Sequence, residues 1–253
     1  MPFVLNADWV WTLLGAGVVY MVLARWAVRD PWPSWRTSCF LGGLGVLVVA
    51  MVSPLDNYDV VSLLAHTTQH LLLAFVAAPL LTMGSPIRLV RRSLPGGAGD
   101  AADWVVRSRV VVRLTRPAVA WWVFVAAVVA THVPPVFRAA LANGKVHDLQ
   151  HGAYLLGGML FWLPVVGGDS PWRAPGRSQR LRYVGAAALV LGLLDLVALS
   201  RTVPMYRYYS TLPPPWGGHA ALVAQHRTAL LVALFLAAVV VAVDVSSRAV
   251  LRR

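Results

Sequence analysis

The chain has few of the residues on which disulfide-rich proteins and soluble enzymes depend. Its 253 residues include one cysteine, Cys39, and ten acidic residues against 22 lysines and arginines. One cysteine excludes an internal disulfide and a thiolate metal cluster, and we expect it to pack as a small apolar residue. Charged residues make up only 13% of the chain and hydrophobic residues 58%. Because this composition is not that of an ordinary soluble domain, the lipid bilayer is its expected solvent.

Apolar runs close to the length of a membrane-spanning helix recur along the chain. They lie at residues 8–28, 37–54, 62–83, 117–133, 147–167, 181–200 and 219–243. We therefore predict an all-α integral membrane protein, a single domain over 1–253 that forms a bundle of seven transmembrane helices. The first run has no basic segment before it and no small-residue cleavage site after it, so we expect a membrane helix and not a cleavable signal.

The net charge of +12 is distributed unevenly. Seventeen of the 22 basic residues lie on alternate connections and at the C-terminus, seven of them in the connection 84–117. The positive-inside rule then predicts an outside N-terminus and a cytoplasmic C-terminus. Since these arginines flank lipid and suit anionic headgroups, we expect no nucleic-acid partner. The connection 84–117 is expected to be either an amphipathic segment on the inner leaflet or a solvated loop.

A short histidine motif is repeated at the outer ends of the predicted helices. "HTTQH" at 66–70 is matched by "HDLQH" at 147–151, and "LVAQH" at 222–226 keeps Gln225 and His226. Histidines four residues apart share one helix face. All seven histidines map to the outer half of the predicted bundle, so a shared site at one depth is expected.

Neutral imidazoles at membrane depth indicate a metal site, because polar groups there are costly and tend to be functional. Imidazole suits copper, zinc, iron or nickel, whereas hard ions need clustered carboxylates. We predict a site for copper or zinc, between which the composition does not decide, and no catalytic residue. Its predicted ligands are His66, His70, His132, His147, His151 and His226, with Gln69, Gln150 and Gln225 orienting the imidazoles and His219 acting only as a loop or capping residue.

Three other functions are compatible with histidines in a membrane bundle. A zinc-dependent membrane hydrolase would use Asp56, Asp59 or Asp148 as its base, although the chain has no HExxH motif. A haem protein is disfavoured because two histidines on one helix face cannot clasp opposite sides of one ring. A transporter would need a continuous polar path to the cytoplasm, and the sequence shows no such path. Asp195, inside the sixth run, is an acid in the membrane without another explanation.

Three segments resemble the multi-span CtaG-type cytochrome c oxidase assembly proteins of bacteria. They are "HTTQHLLLAFVAAPLLTMGSP" (66–86), "THVPPVFRAAL" (131–141) and "HDLQHGAYLLGGMLFWLPVVG" (147–167). The resemblance implies a plasma-membrane assembly factor for a haem-copper oxidase, which supplies copper on the extracytoplasmic side and contacts an oxidase subunit. It also implies that five histidines of this chain match histidine positions of the family: His66, His70, His132, His147 and His151.

The last helix departs from the pattern of that family. Where family members have Asp-Gln-Gln followed by a Gly-Gly and Met-Trp segment, this chain has Ala224, Gln225 and His226, followed by Arg227. His226 is then expected to act as a substitute ligand, or the site in this chain has changed its function.

Overall fold

The structure, a computed structural model, describes residues 7–27, 31–93, 97–166 and 175–251. Within these ranges every regular element is a helix, so the predicted all-α class is confirmed. The helices are α1 (Ala7–Trp26), α2 (Ser34–Met51), α3 (Pro54–Tyr58), α4 (Leu63–Leu71), a π-helical segment (Leu72–Ala77), α5 (Ala78–Met83), α6 (Pro86–Ser93), α7 (Gly97–Arg107), α8 (Arg109–Leu114), α9 (Pro117–His132), α10 (Pro134–Ala142), α11 (Gly144–Val166), α12 (Arg177–Leu199), α13 (Arg207–Ser210) and α14 (His219–Leu251).

Six helical stretches of the described chain are long and apolar enough to cross a membrane. They are Ala7–Trp26, Ser34–Tyr58, Leu63–Ser93, Gly144–Val166, Arg177–Leu199 and His219–Asp244. The predicted fourth span differs from expectation, because α9 has only 16 residues and is followed by α10 at an angle of 77°. The count reaches seven only if α9 and α10 together form one span.

Proline and serine set the helix boundaries near the histidine-bearing end of the bundle. Val133 adopts an extended conformation between α9 and Pro134, as expected of a residue before proline. Ser53 and Ser62 cap α3 and α4, since their hydroxyl oxygens accept hydrogen bonds from the Leu55 and Ala65 amides. These caps place α4 with its histidines at the start of a long continuous helical stretch.

The basic connection after α5 is helical and has one buried and one exposed face, which favours the predicted amphipathic segment over a solvated loop. In α6, Leu89 and Ser93 are buried while Arg91 is exposed. The Ser93 hydroxyl donates to the Leu23 carbonyl at 2.7 Å, which ties α6 to the end of α1. The arginine-rich helices α6–α8 therefore follow the end of the α4–α5 stretch that is farthest from its histidines.

The centre of the bundle is formed by α11 and the continuous stretch from α4 through the π-helical segment to α5. These two elements pack on each other, with α2 and α9 flanking them and α12 packing along α14. Gly158 of α11 allows the close approach, because a Cβ there would lie 3.0 Å from both the Ala74 carbonyl oxygen and the Ala78 Cβ. This contact brings the two histidine-bearing helices together.

Candidate metal centre

The first histidine pair lies on α4, one turn apart and facing inward. His66 and His70 are 1% and 5% exposed. The helix then widens into the π-helical segment, where the Ala74 carbonyl accepts a hydrogen bond from Trp162 Nε1 at 2.9 Å. Because Trp162 belongs to α11, this bond fixes α4 and α11 to each other below the histidines.

The second pair lies on α11. Asn143 precedes this helix, and its side-chain oxygen accepts a hydrogen bond from the Lys145 amide at 3.0 Å, which caps the first turn. His147 follows in the next turn and is partly buried, whereas His151 is 3% exposed. The second pair thus enters the bundle from the same end as the first.

The four imidazoles form one compact group. Ring centroids are 4.3 Å apart for His66 and His70, and 4.2 Å apart for His147 and His151. Between the helices, the centroid distances are 5.1 Å for His66 and His147 and 5.5 Å for His70 and His151. The structure therefore brings together four of the six predicted ligands.

Two sets of three side chains in this group offer metal ligands within 4.8 Å of one another. One set contains His66, His70 and His147, and the other contains Asp59, His147 and His151. His147 belongs to both. The chemistry of these sets, imidazole nitrogen with one carboxylate, suits copper or zinc.

Most of the imidazole nitrogens in the group are buried and have no hydrogen-bond partner among the described residues. This holds for both nitrogens of His66 and of His151, and for Nε2 of His70 and of His147. A buried polar atom without a partner costs about 1–3 kcal/mol, so packing alone does not explain this arrangement. A metal ion would satisfy these lone pairs, and the residues present therefore fit such an ion.

Asp59 is the functional candidate that the histidine motifs did not reveal as a ligand. It lies between α3 and α4, is 2% exposed, and its Oδ2 is 3.4 Å from His147 Nε2. That distance is too long for a well-formed hydrogen bond, and Oδ1 has no partner among the described residues. Burial, followed by repulsion from Asp56, raises the pKa of Asp59 to about 7. The one sequence signal was its position in the short acidic segment just before "HTTQH".

Two of the three motif glutamines, Gln69 and Gln225, bond to groups other than the expected imidazoles, whereas Gln150 Oε1 is buried without a hydrogen-bond partner among the described residues. Gln69 Nε2 donates to the Ala50 carbonyl and to Asp56 Oδ1, both at 2.8 Å. Gln225 Nε2 donates to the Ala198 carbonyl at 2.8 Å, and its oxygen accepts from the Met205 amide at 2.7 Å. Gln69 therefore connects α4 to α2 and α3, and Gln225 connects α14 to α12 and to the loop before α13. These two side chains position helices and not imidazole rings.

His132 lies at the end of α9, beside the group but outside both sets of three. Its Nδ1 is 2.8 Å from the Val128 carbonyl oxygen, which can only accept, so Nδ1 carries the proton and Nε2 keeps its lone pair. His132 lines a cavity of about 270 Å³ together with His66 and His70. Asp195 lines the same cavity, whose other walls are mainly apolar side chains of α4, α9, α12 and α14.

The structure does not bring His226 together with the four clustered rings. Its Nε2 donates to the Arg201 carbonyl oxygen at 3.2 Å, and the side chain is partly exposed on α14. His219 is exposed at the first residue of α14, in agreement with the expectation of a loop or capping residue. Gln225 alone links the third copy of the motif to the cavity.

Two aromatic side chains, Tyr206 just before α13 and Tyr209 within it, cover the end of this region. The Tyr209 hydroxyl donates to the Asp59 carbonyl at 2.9 Å, and the Tyr206 hydroxyl donates to the His132 carbonyl at 3.3 Å. The Tyr206 ring stacks on Phe137 of α10 at 3.9 Å. Burial raises the pKa of both tyrosines, so both hydroxyls keep their protons and donate.

A family model for the cytochrome c oxidase caa3 assembly factor matches residues 18–246, which include every element of the candidate centre. The chain belongs to this family. This match confirms the resemblance to the family that was predicted from "HTTQH", "HDLQH" and the segments after them.

Similar proteins occur in mycobacteria. An uncharacterized protein of Mycobacterium bovis and one of Mycobacterium tuberculosis are each 28% identical over 202 residues, which are 74% of this chain and 30% of the relative. An uncharacterized protein of Mycobacterium leprae is 24% identical over 219 residues, 81% of this chain and 32% of the relative. The chain thus spans about a third of the length of the curated relatives it matches. No solved structure matches the chain.

Proposed function

We propose that this caa3 assembly factor binds copper through its histidine group and delivers it to a haem-copper cytochrome c oxidase. In this role it acts as a copper chaperone and not as an enzyme. The copper ion is its cargo, and an oxidase subunit and the lipid bilayer are its partners.

The observation that carries this proposal is the group of four buried imidazoles with unpartnered nitrogens. His66, His70, His147 and His151 present these nitrogens between two helices that are held together by Gly158 and Trp162. Neutral imidazole nitrogens are good copper ligands. Because the unpartnered atoms face one another, one ion satisfies several of them at once.

Delivery requires that the ion leaves the protein again, and the surroundings of the group are suited to that. His147 is the least buried of the four imidazoles, with 12% of its side chain exposed, and it lies near the end of the bundle where α10 and α13 pack together. His132 keeps an acceptor nitrogen in the adjoining cavity. We assign His147 the role of the outermost imidazole and His132 that of an auxiliary ligand beside the main group.

We further propose that the protein lies in the bacterial plasma membrane with its metal centre facing the extracytoplasmic side. The N-terminus is then outside and the C-terminus cytoplasmic. Support comes from the arginine-rich helices α6–α8, which follow the α4–α5 stretch at the end opposite to the histidines. Basic residues favour the cytoplasmic side of a membrane protein.

Elemental analysis of the purified protein tests copper binding directly. We expect wild-type protein to retain copper, and His70→Ala and His151→Ala to lose at least about tenfold in affinity, because each change removes an imidazole from the group. His219→Ala is the matched control, since His219 is exposed at the start of α14. Equal copper content in all four proteins, at equal membrane yield, would refute the assignment of His70 and His151.

The assembly role itself is tested in the host cell. Deletion of the gene should lower both the copper content and the activity of the caa3-type oxidase, and the wild-type gene should restore both. The His70→Ala gene should restore neither. An oxidase with unaltered copper and activity after deletion would rule out the assembly role for this chain.

A zinc-dependent hydrolase is the second candidate, and one observation favours it. Asp59, His147 and His151 form a carboxylate and two imidazoles within ligand reach of one another, a donor set that zinc also uses. Stoichiometric zinc in the purified protein, lost in His151→Ala, together with hydrolysis of an amide or ester, would favour it over copper delivery. A Soret band would instead indicate haem.

A further inference from the structure

The acid nearest to the histidine group is held in place by its backbone and not by its carboxylate. Asp59 follows α3, and the Ser62 amide donates to the Tyr58 carbonyl at 2.8 Å to form the turn that contains it. The Tyr209 hydroxyl fixes the Asp59 carbonyl from the opposite side. The side chain is left to face α11, with 2% of the residue exposed.

Among the described residues, the carboxylate of Asp59 has the neighbouring Val60 amide as a donor, but its Oδ1 accepts no hydrogen bond. Its Oδ2 contacts His147 Nε2 at 3.4 Å. Asp56, three residues earlier, differs because its Oδ1 accepts a hydrogen bond from Gln69. A buried carboxylate is retained at a cost unless it is paired or coordinates a cation.

We infer that Asp59 is a metal ligand, which forms with His147 and His151 a mixed oxygen and nitrogen position beside the all-imidazole position of His66, His70 and His147. This inference rests on the proposed metal-binding function and adds a residue and a selectivity to it. The two positions share His147.

The two positions differ in the copper oxidation state that they favour. The all-imidazole position is neutral and accommodates Cu(I) or Cu(II). The mixed position adds a negative charge and a hard oxygen donor, and therefore favours Cu(II) over Cu(I). Because His147 serves both positions, an ion passes from one to the other while it keeps one ligand.

The inference is tested with Asp59→Asn, which keeps the shape of the side chain and removes its charge. Purified protein is titrated separately with Cu(II), and with Cu(I) under anaerobic reducing conditions. We expect Asp59→Asn to weaken Cu(II) binding by at least about tenfold and to change Cu(I) binding by less than about threefold. Asp148→Asn is the matched control, since Asp148 is an exposed carboxylate next to His147, and it should change neither.

Electron paramagnetic resonance of the Cu(II)-loaded wild-type protein gives a second readout that needs no variant. We expect a spectrum of mixed oxygen and nitrogen coordination that becomes a purely nitrogen spectrum in Asp59→Asn. Asp59→Glu should keep the mixed spectrum. A purely nitrogen spectrum in wild-type protein would overturn the inference, even if Asp59→Asn failed to fold.

The remaining outcomes separate this inference from the proposed function. Equal loss of Cu(I) and Cu(II) in a folded Asp59→Asn protein would make Asp59 a positioning residue and refute its role as a ligand. Wild-type protein that binds neither form of copper would refute the copper function. In that case, Zn(II) binding that Asp59→Asn abolishes and Asp148→Asn keeps would still support Asp59 as a ligand.

Discussion

His147 differs from the other clustered histidines because it belongs to both sets of metal ligands. It is also the least buried of the four. His226 has the same position in the sequence motif as His70 and His151, but its Nε2 is used by the Arg201 carbonyl. At the residue scale, the surroundings of each imidazole and not its motif decide its role.

Removal of His147 should therefore have the largest effect of any single histidine substitution. We expect His147→Ala to weaken copper binding by about 100-fold or more. This loss of affinity is larger than that caused by removing a residue that only orients a metal ligand. His226→Ala should change it by less than about threefold. Copper titration of both purified variants checks this, and a larger effect of His226→Ala would contradict the arrangement described for α14.

The two histidine-bearing helices can approach closely because α11 has a glycine, Gly158, where it crosses the α4–α5 stretch. Gly158 lies seven residues after His151, which is two helical turns and about 10 Å along the axis. The same face of α11 thus carries the imidazoles and the close contact. At the scale of the element, ligand spacing across the helices depends on this glycine.

A larger side chain at Gly158 should force the helices apart. We expect Gly158→Val to lower the stability of the folded protein by about 1–3 kcal/mol, as other overpacked cores show, and to weaken copper binding. Gly152→Val, in the same helix, is the control, because a Cβ at Gly152 would have no described atom of another residue within 4 Å. Thermal unfolding in detergent and copper titration report the two effects, and equal behaviour of both variants would argue against the role of this contact.

The whole molecule separates its charges from its histidines. Basic side chains gather in α6–α8, at the start of α12 and at the C-terminal end of the chain, whereas the imidazoles gather where α4 and α11 begin. Such a separation gives a membrane protein a preferred orientation. It also keeps a cationic surface away from the proposed metal site.

Labelling of single cysteines tests this orientation, since Cys39 is the only cysteine to remove. In a Cys39→Ser background, Ala142→Cys should react with a membrane-impermeant maleimide in intact cells, because Ala142 lies at the histidine end. Gly97→Cys, at the basic end, should react only after permeabilisation. The reverse pattern would place the histidine group on the cytoplasmic side.

Much of the architecture follows from local patterns. Apolar runs of helical length predicted the helices, and the His-x-x-Gln-His spacing predicted two imidazoles on one face of α4 and of α11. The fourth span was harder, because Pro134 bends the chain by 77° after a helix of only 16 residues. Proline signals such a break in the sequence, but the direction of the bend depends on packing.

The sequence by itself determined the helical class, the membrane character, the family and the two histidine pairs, since these depend on composition and on spacing within one helix. Only the tertiary structure decided which pairs meet, because the distance between α4 and α11 depends on contacts at Gly158, Ala74 and Ala78. It also separated His226 from the group and added Asp59, whose carboxylate faces His147 through a turn held by Tyr209. Contacts between residues 150 positions apart leave no periodic trace in a sequence.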